Sequence, residues 1–337
     1  MLTAPGQVGL TTEPLPPLNP GEVCLRTVLS GISAGTELAW LTGRAAALHA
    51  HWDAQTRMFT AGPGRAYPVA PGYESVAEVA AVGTEVTALA CRDLVTVDAP
   101  HADLHVVAAE RVTALPTGVG PEAAVFFTLA RVALGGVHDA APLLGESLVV
   151  TGLGTVGLLA AQQARLTGAR VVGVDRQPLR VQACQALGIP AVLADATVDV
   201  AAAVRAFIGD AGADAAIECS GASAVLHQAI RCLRVGGRVA TVASYHGDPG
   251  GLRLGEEYHR NRITLLSSMT INGCPARTPT WTLDRLNATA REQITAGAVR
   301  VDQLITHRIP FAQAPAAYAL LRDTPEKTIK VVLTYDR

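Results

Sequence analysis

The sequence has few charges, few aromatic residues and no run of basic residues. Charged side chains make up 17% of the 337 residues, the formal net charge is −2, and aromatic residues make up 4%. Clustered Lys and Arg are needed to neutralise phosphates, so this balance argues against nucleic acid as the main partner. No apolar run reaches the roughly 18 residues of a membrane span, and no leader peptide is recognisable. We expect a soluble, cytoplasmic protein that acts on a small molecule.

Closely spaced cysteines are also missing. The six cysteines are Cys24, Cys91, Cys184, Cys219, Cys232 and Cys274. No two of them lie within three residues of each other, which excludes a zinc knuckle and a CxxC redox pair. We expect most of them to be buried thiols, the usual state of a lone cysteine in a reducing compartment.

The apolar residues, 49% of the chain, follow two patterns. Up to about residue 125, short β-type segments alternate with turn residues. From about residue 128, apolar strands alternate with glycine turns and helices, as in a parallel sheet with right-handed crossovers. The tail is too short to form a core of its own. We predict an α/β protein in which residues 1–127 and 271–337 form a β-rich, GroES-like catalytic domain. Residues 128–270 form a doubly wound, Rossmann-type domain.

One segment of the first domain has no clear periodicity. Residues 44–67 include His49, His51 and Trp52. Long loops in compact domains are often functional. The segment is either a long loop or short helix over a site, or a surface excursion.

A glycine-rich turn gives the clearest functional signal. Thr151-Gly-Leu-Gly-Thr-Val-Gly157 follows an apolar strand and opens a helix, the context that gives a GxGxxG string significance. The first glycine permits the tight turn, the second lets the backbone approach a pyrophosphate, and the third allows close helix–strand packing. The predicted dinucleotide contacts of this turn are Gly152, Gly154, Thr155, Val156 and Gly157.

The next strand indicates which dinucleotide is bound. Asp175 ends the strand that begins at Arg170, where a carboxylate accepts hydrogen bonds from the adenosine ribose and repels a 2′-phosphate. NAD is therefore favoured over NADP. Arg176 and Arg180 count in the other direction, because a guanidinium next to the ribose could hold a 2′-phosphate.

The order of these parts resembles the medium-chain dehydrogenase/reductase superfamily over nearly the whole chain. Gly31-Ile-Ser-Ala-Gly-Thr-Glu37 looks like its Gly-Ile-Cys segment, and Pro71-Gly-Tyr-Glu-Ser-Val-Ala-Glu78 looks like its Gly-His-Glu segment. Lys327-Thr-Ile-Lys330 is similar to its closing strand, which implies that Lys330 contacts the cofactor pyrophosphate. Ser220 is the remaining predicted cofactor contact. Within the superfamily, the sequence looks most like the group that contains bacteriochlorophyllide dehydrogenases and unassigned alcohol dehydrogenases.

The chain departs from the zinc-dependent members of that superfamily. Their catalytic zinc ligands correspond to Ser33, Tyr73 and about Ala124, and zinc prefers thiolate, imidazole or carboxylate. Their four-cysteine structural lobe is missing too. The resemblance therefore implies a member that works without zinc and binds no metal.

Hydride transfer to or from a carbinol carbon requires a group that handles the hydroxyl proton. The resemblance places His101 at the wall of the substrate pocket, and imidazole is suited to proton exchange near neutral pH. We prefer His101 as the base, with a merely polar wall residue as the alternative. Tyr73 either orients or protonates the substrate, or is a packed structural tyrosine. Thr36, Glu37 and Glu74 are expected to hydrogen-bond Tyr73 or the substrate, although Glu74 could equally be structural.

The sequence thus predicts a zinc-independent, NAD(H)-dependent oxidoreductase of a secondary alcohol or ketone, acting as a homodimer. Two alternatives remain open. One is an NADPH-dependent reductase of an activated C=C bond, and the other is a dinucleotide-binding protein without turnover.

Overall fold

The computed structural model describes residues 1–246, 250–270 and 280–336. The chain divides into two compact units. Unit 1 comprises Met1–Phe126 and Ile305–Arg337, and unit 2 comprises Phe127–Leu304.

Unit 1 is built mainly of short strands. They are β1 (Leu2–Ala4), β2 (Gln7–Val8), β3 (Glu22–Gly31), β4 (His51–Asp53), β5 (Met58–Thr60), β6 (Ser75–Val82), β7 (Leu94–Val97), β8 (Leu104–Ala108), β9 (Val112–Ala114), β16 (Ile305–Pro310) and β17 (Lys330–Thr334). The helices are α1 (Ala34–Leu41), α2 (Pro121–Ala124) and α9 (Ala314–Asp323). The main sheet has the order β16-β17-β3-β6-β7-β9, and β8 also pairs with β3.

The long strand β3 organises this sheet. It pairs antiparallel with β6, β8 and β17. Its residues alternate in burial, so that Val23 and Leu25 enter an apolar core with Val79 and Val95. Because β17 joins β3 from the far end of the chain, the predicted return of the tail to the β-rich unit is observed.

Unit 2 has a parallel six-stranded sheet. Its strands are β10 (Ser147–Thr151), β11 (Arg170–Asp175), β12 (Ala191–Leu193), β13 (Ala213–Glu218), β14 (Leu233–Thr241) and β15 (Thr264–Ser267). Its helices are α3 (Phe127–Ala140), α4 (Thr155–Leu166), α5 (Pro178–Ala186), α6 (Val200–Ile208), α7 (Ser223–Arg231) and α8 (Leu283–Thr295). The strand order is β12-β11-β10-β13-β14-β15. Successive strands are added on one side of β10 up to β12 and on its other side from β13 onward, as in doubly wound folds, which bind ligands at the carboxyl ends of the strands at this switch point. The predicted fold class is therefore confirmed.

The second boundary between the units differs from the predicted one. The chain returns to unit 1 at residue 305, not at residue 271. Helix α8 accounts for the difference, because its apolar face buries Leu286, Ala290 and Ile294. In addition, Gln163 Nε2 on α4 donates to Gln293 Oε1 on α8 over 2.9 Å. The first boundary lies within one residue of the predicted one.

The segment 44–67 forms a surface hairpin. Strands β4 and β5 pair antiparallel, and the rings of Trp52 and Phe59 meet edge to face with their centroids 5.1 Å apart. Both rings are about half exposed. The hairpin covers residues 51–60 and follows a short 3-10 turn at Ala46–Leu48, and both interpretations of the segment stay predictions.

The absence of a membrane span stays an expectation, whereas the expectation for the cysteines needs correction. The helical stretch Pro121–Ala140 is long and apolar enough for a membrane span by length and composition, although none was expected. Two thirds of it is buried within the protein, as in a core helix, so it is weak evidence for a span. Among the five described cysteines, which are all free, only Cys184 and Cys232 are buried. Cys274 lies outside the described residues.

Candidate active site

The turn from β3 into α1 places three polar side chains of unit 1. Ser33 is the N-cap residue of α1, and Thr36 and Glu37 lie in the first helical turn. The Ser33 N–H donates to Glu37 Oε1 over 2.7 Å. This bond satisfies one of the amides that a helix start leaves open, and it fixes the Glu37 side chain beneath the turn.

Three hydroxyl groups meet at this turn. The Tyr73 hydroxyl donates to Ser33 Oγ, and Thr36 Oγ1 lies 3.4 Å from the same Tyr73 oxygen. Ser33 is buried, Tyr73 is half-buried and Thr36 is exposed. Burial and the charge of Glu74 raise the pKa of Tyr73 well above its usual value. The phenol is therefore neutral near pH 7, and it is a hydrogen-bond donor.

His101 is held differently from the prediction. Its Nδ1 lies 2.7 Å from Ser30 Oγ, its Nε2 lies 3.0 Å from Glu37 Oε2, and its side chain is only 4% exposed. The backbone explains this position, since the His101 N–H donates to Pro71 O and the ring packs where a Cβ of Gly72 would lie. Both ring nitrogens are used by the protein, so the geometry does not support His101 as the direct proton acceptor.

Glu37 is the centre of this buried network. Besides His101 and the Ser33 amide, it accepts a hydrogen bond from the Tyr318 hydroxyl of α9. Burial raises the pKa of Glu37, but the charge and hydrogen bond of His101 and the hydrogen bond of Tyr318 outweigh it, so the pKa of Glu37 is lowered. Glu37 is thus a carboxylate that ties α1 to α9, and its hydrogen bonds go to Ser33, His101 and Tyr318 rather than to Tyr73.

Glu74 and Lys330 form a fully buried ion pair. Lys330 Nζ lies 2.5 Å from Glu74 Oε2 and donates to Ile32 O over 3.2 Å. Gly31 leaves the space, because a Cβ there would lie 2.6 Å from Nζ. Burial raises the pKa of Glu74 to about 7, although the Lys330 ammonium acts in the other direction. The Lys330 ammonium is enclosed in unit 1, so the geometry does not support the predicted pyrophosphate contact.

In unit 2, the glycine turn has the predicted geometry. Gly152 has φ +84°, and a Cβ there would lie 2.7 Å from the Ser220 nitrogen. A Cβ on Gly157 would lie 1.9 Å from Gly152 O, whereas a Cβ on Gly154 would meet nothing within 4 Å. Helix α4 begins directly after Gly154 without a side-chain cap, with Thr155 and Val156 in its first turn. The N-terminal end of α4 therefore suits an anion.

Asp175 lies next to this turn, at the end of β11. Its Oδ2 accepts from the Leu153 N–H over 2.6 Å, and its Oδ1 accepts from the Gln177 N–H over 2.8 Å. Arg180 Nη1 lies 3.9 Å from Oδ2, and Arg176 is exposed. Each carboxylate oxygen has two lone pairs, so Asp175 can brace the glycine turn and still accept a ribose hydroxyl.

A buried carboxylate that sequence reasoning missed lies at the end of β13. Glu218 Oε1 accepts from the Ser220 N–H over 2.6 Å and from the Ser220 hydroxyl, and Oε2 accepts from the Tyr245 hydroxyl. Burial raises the pKa of Glu218. The predicted cofactor contact Ser220 thus belongs to a cluster beside Gly152. An acidic residue that ends an otherwise apolar strand is the sequence signal that could have indicated this cluster.

Unit 2 has a Rossmann-type sheet with this glycine turn, and unit 1 is a β-rich unit that the end of the chain completes. Together these features are typical of two-domain dehydrogenases. Residues 155–288 match the family described as zinc-binding dehydrogenase. The chain is 29% identical over 325 residues to D-guloside 3-dehydrogenase of Escherichia coli, which covers 93% of each protein. It is 28% identical over 220 residues to L-galactonate-5-dehydrogenase of the same organism, covering 65% of this chain and 60% of that protein.

Solved structures agree with this class at the level of the fold. Galactitol-1-phosphate dehydrogenase from Escherichia coli superposes with a TM-score of 0.77 at 20% identity, covering 98% of both chains. The 2R,3R-butanediol dehydrogenase from Bacillus subtilis gives the same TM-score and identity, covering 99% of this chain and 98% of that one. The chain belongs to the medium-chain dehydrogenase/reductase superfamily, as the sequence motifs predicted. It is an oxidoreductase of the alcohol dehydrogenase type.

Proposed function

We propose that the protein interconverts a secondary alcohol and a ketone with NAD(H), and that the hydroxyl of Tyr73 takes the place of a catalytic zinc ion. The observation that carries this proposal is the hydroxyl cluster of Ser33, Tyr73 and Thr36. Two members of this cluster, Ser33 and Tyr73, occupy positions that correspond to zinc ligands in the zinc-dependent members of the superfamily.

The side chains at these positions do not suit zinc. Zinc in proteins is bound by thiolate, imidazole and carboxylate groups. Ser33 and Tyr73 carry neutral hydroxyls that bond each other, and Ala124 carries a buried methyl group. In the described part of unit 1, no three His, Cys, Asp or Glu ligand atoms come close enough together to hold a metal. The match to the zinc-binding family covers residues 155–288, which include none of these three positions.

The cluster can polarise the carbonyl of a bound ketone and deliver a proton to its oxygen. When its proton turns from Ser33 Oγ to a bound ketone, the neutral Tyr73 phenol donates a hydrogen bond to the ketone oxygen and gives up that proton as the oxygen becomes an alcohol. Thr36 lies within 3.4 Å of the phenol and is exposed, so it can return a proton from solvent to Tyr73. In the oxidation direction, the same hydroxyls carry the proton of the alcohol outward. His101 and Glu37 act as positioning residues, because Glu37 holds the Ser33 amide.

Unit 2 supplies the dinucleotide site. When bound, the nicotinamide accepts or donates the hydride. The open side of Gly154 and the N-terminus of α4 suit its pyrophosphate, and the Asp175 carboxylate suits the two hydroxyls of the adenosine ribose. NAD is the proposed partner, since a 2′-phosphate would meet the Asp175 charge. Arg176 and Arg180 favour NADP as the second candidate.

The names of two relatives support a proposal for the substrate class. D-guloside 3-dehydrogenase and L-galactonate-5-dehydrogenase bear names of sugar-derived substrates. We propose a secondary hydroxyl of a polyhydroxylated compound as the reacting group. A site made of three hydroxyls can exchange hydrogen bonds with such a compound as both donor and acceptor.

The test measures NADH formation by purified protein with a panel of sugar acids, glycosides and simple secondary alcohols. The same assay is run with NADP and with protein treated with a zinc chelator. Turnover that depends on NAD and survives the chelator supports the proposal. Loss of turnover with the chelator, restored by zinc, would refute the zinc-free mechanism. NADPH oxidation with enones but not ketones would favour a C=C reductase, and tight NAD binding without turnover on any substrate would favour a non-catalytic protein.

A further inference from the structure

We propose that unit 2 binds a divalent transition-metal ion at His227, Glu256 and Glu257, in a site separate from the hydroxyl cluster. Each of these residues offers one ligand atom, and these atoms all lie within 4.8 Å of one another. The proposal does not depend on the proposed function, because none of the three residues belongs to the glycine turn or to the hydroxyl cluster.

Two neighbouring elements bring the three side chains together. His227 lies in the middle of α7, and the glutamates lie in the short helical turn Leu254–Tyr258, which packs against α7. Consecutive side chains of a regular helix point about 100° apart. Glu256 has non-helical backbone angles, φ −96° and ψ −125°, and this break allows Glu256 and Glu257 to approach the same imidazole.

Two polar atoms of this group have no hydrogen-bond partner among the described residues. The His227 side chain is 9% exposed, and its Nδ1 is buried without a hydrogen-bond partner among the described residues. Its Nε2 lies 3.7 Å from Glu256 Oε2, which is too long for a hydrogen bond. Within the same described ranges, Glu257 Oε2 is also buried and without a partner. A buried polar atom in this state is costly, and a metal ion held beside His227 and Glu256 would give Glu257 Oε2 a partner.

Two arginines hold the glutamates in a suitable orientation. Arg231 Nε lies 3.5 Å from Glu257 Oε1, and Arg253 Nη1 lies 3.3 Å from Glu256 Oε1. In both carboxylates the arginine engages Oε1 and leaves Oε2 for a ligand. Such outer partners are a regular feature of metal sites. Arg231 also pairs with Asp199 over 2.9 Å, and this pair fixes its guanidinium group beside Glu257.

The donor set indicates the kind of metal. One imidazole and two carboxylates suit zinc-type ions, whereas Mg²⁺ and Ca²⁺ prefer oxygen ligands alone. Zinc–ligand distances of about 2.0–2.2 Å require these atoms to move together by roughly 1 Å. Glu256 is 49% exposed and can make that movement, and water can complete the coordination.

The experiment is a calorimetric titration of Zn²⁺ into the full chain, without affinity tag and after removal of bound metals, with Mg²⁺ as a second titrant. We expect one Zn²⁺ per chain and no measurable Mg²⁺ binding. His227→Gln and Glu256→Gln should each weaken Zn²⁺ binding at least 10-fold, the lower end of the effect of losing a supporting partner. Glu256 is half exposed, so that variant keeps the test valid if His227→Gln folds poorly.

His259→Gln is the matched control, because His259 is exposed and only two residues from Glu257. It should bind Zn²⁺ as the parent protein does. No Zn²⁺ binding by the parent protein, or binding that His227→Gln and Glu256→Gln both leave unchanged, would overturn the proposal. Because these variants do not touch the hydroxyl cluster, their dehydrogenase activity should equal that of the parent protein, which separates this proposal from the proposed function.

Discussion

Replacing Tyr73 by Phe tests the role of the hydroxyl cluster most specifically. The change removes one oxygen and leaves the ring. That oxygen donates to Ser33 Oγ and lies 3.4 Å from Thr36 Oγ1. If the phenol protonates the ketone oxygen, its loss removes a general acid, an effect of about 10²- to 10⁴-fold on rate. The exposed Thr36 hydroxyl can replace part of the function, so we expect the lower end, about 100-fold in kcat.

In free energy, a 100-fold loss is about 2.7 kcal/mol of transition-state stabilisation. The stability of the protein should change less, by about 1 kcal/mol, because the lost Ser33 bond links two neutral groups. Coenzyme binding should not change at all, since the glycine turn and Asp175 lie in unit 2. The prediction is therefore a large fall in kcat with an unchanged Kd for NADH.

The assay follows ketone reduction with NADH under steady-state conditions, and NADH binding by fluorescence. Tyr67→Phe is the matched control, because the Tyr67 hydroxyl donates only to a backbone carbonyl, that of Trp40. It should retain the kcat of the parent protein. If Tyr73→Phe retains a kcat within about twofold of Tyr67→Phe, an effect far below that of a lost general acid, the phenol is not the acid and the mechanism is wrong.

Three further predictions concern the cofactor site and the buried network. Asp175→Asn should lower kcat/KM for NAD by about 10- to 100-fold and raise the preference for NADP, because a hydrogen bond to a charged group contributes about 1.5–3 kcal/mol. Asp195→Asn is the exposed control, and an unchanged ratio of kcat/KM for NAD to that for NADP would argue against a ribose contact. Gly154→Ala should weaken NADH binding and leave the midpoint of urea unfolding unchanged. Gly157→Ala should lower that midpoint, since its Cβ would lie 1.9 Å from Gly152 O, and equal midpoints for the two variants would contradict the close packing at Gly157. Glu37→Gln should cost about 3–5 kcal/mol in urea unfolding, as expected for a broken buried pair. Because the pKa of Glu37 is lowered in the folded state, its contribution to the free energy of unfolding is present above the ordinary carboxyl pKa of about 4.3 and is lost as the pH falls through the folded-state pKa. The free energies of unfolding of parent and variant should therefore converge in acid. A difference between them that does not change with pH would refute the lowered pKa.

The nucleotide-binding unit could be predicted because its determinants are local. Gly152, Gly154 and Gly157 are required by a turn of seven residues, and Asp175 ends the next strand of the same pattern. Such signals survive without knowledge of the rest of the fold. The boundary at residue 305 could not be found this way. The packing of α8 within unit 2 depends on contacts with α4 across more than a hundred residues of sequence, such as Gln163 with Gln293.

The polar groups of unit 1 were found as residues but not as contacts. His101 was expected to face a substrate, yet its partners Ser30 and Glu37 come from β3 and α1, about seventy residues earlier in the chain. Lys330 was expected at a pyrophosphate, yet it pairs with the carboxylate of Glu74, which lies 256 residues earlier in the chain. Ion pairs of this kind depend on which strands become neighbours, and a strand pattern alone does not determine that. The cluster of Tyr73 with Thr36 was the nearest to its prediction.

The most direct test of the account is the rate of NAD-dependent alcohol oxidation measured together with the metal content of the same sample. The test uses the Glu256→Gln variant, so that zinc at the proposed site in unit 2 does not enter the measurement. We predict full turnover by protein that contains almost no zinc, no stimulation by added zinc, and a fall of about 100-fold in kcat when Tyr73→Phe is introduced. Turnover that rises in proportion to bound zinc, and that Tyr73→Phe leaves intact, would contradict the account.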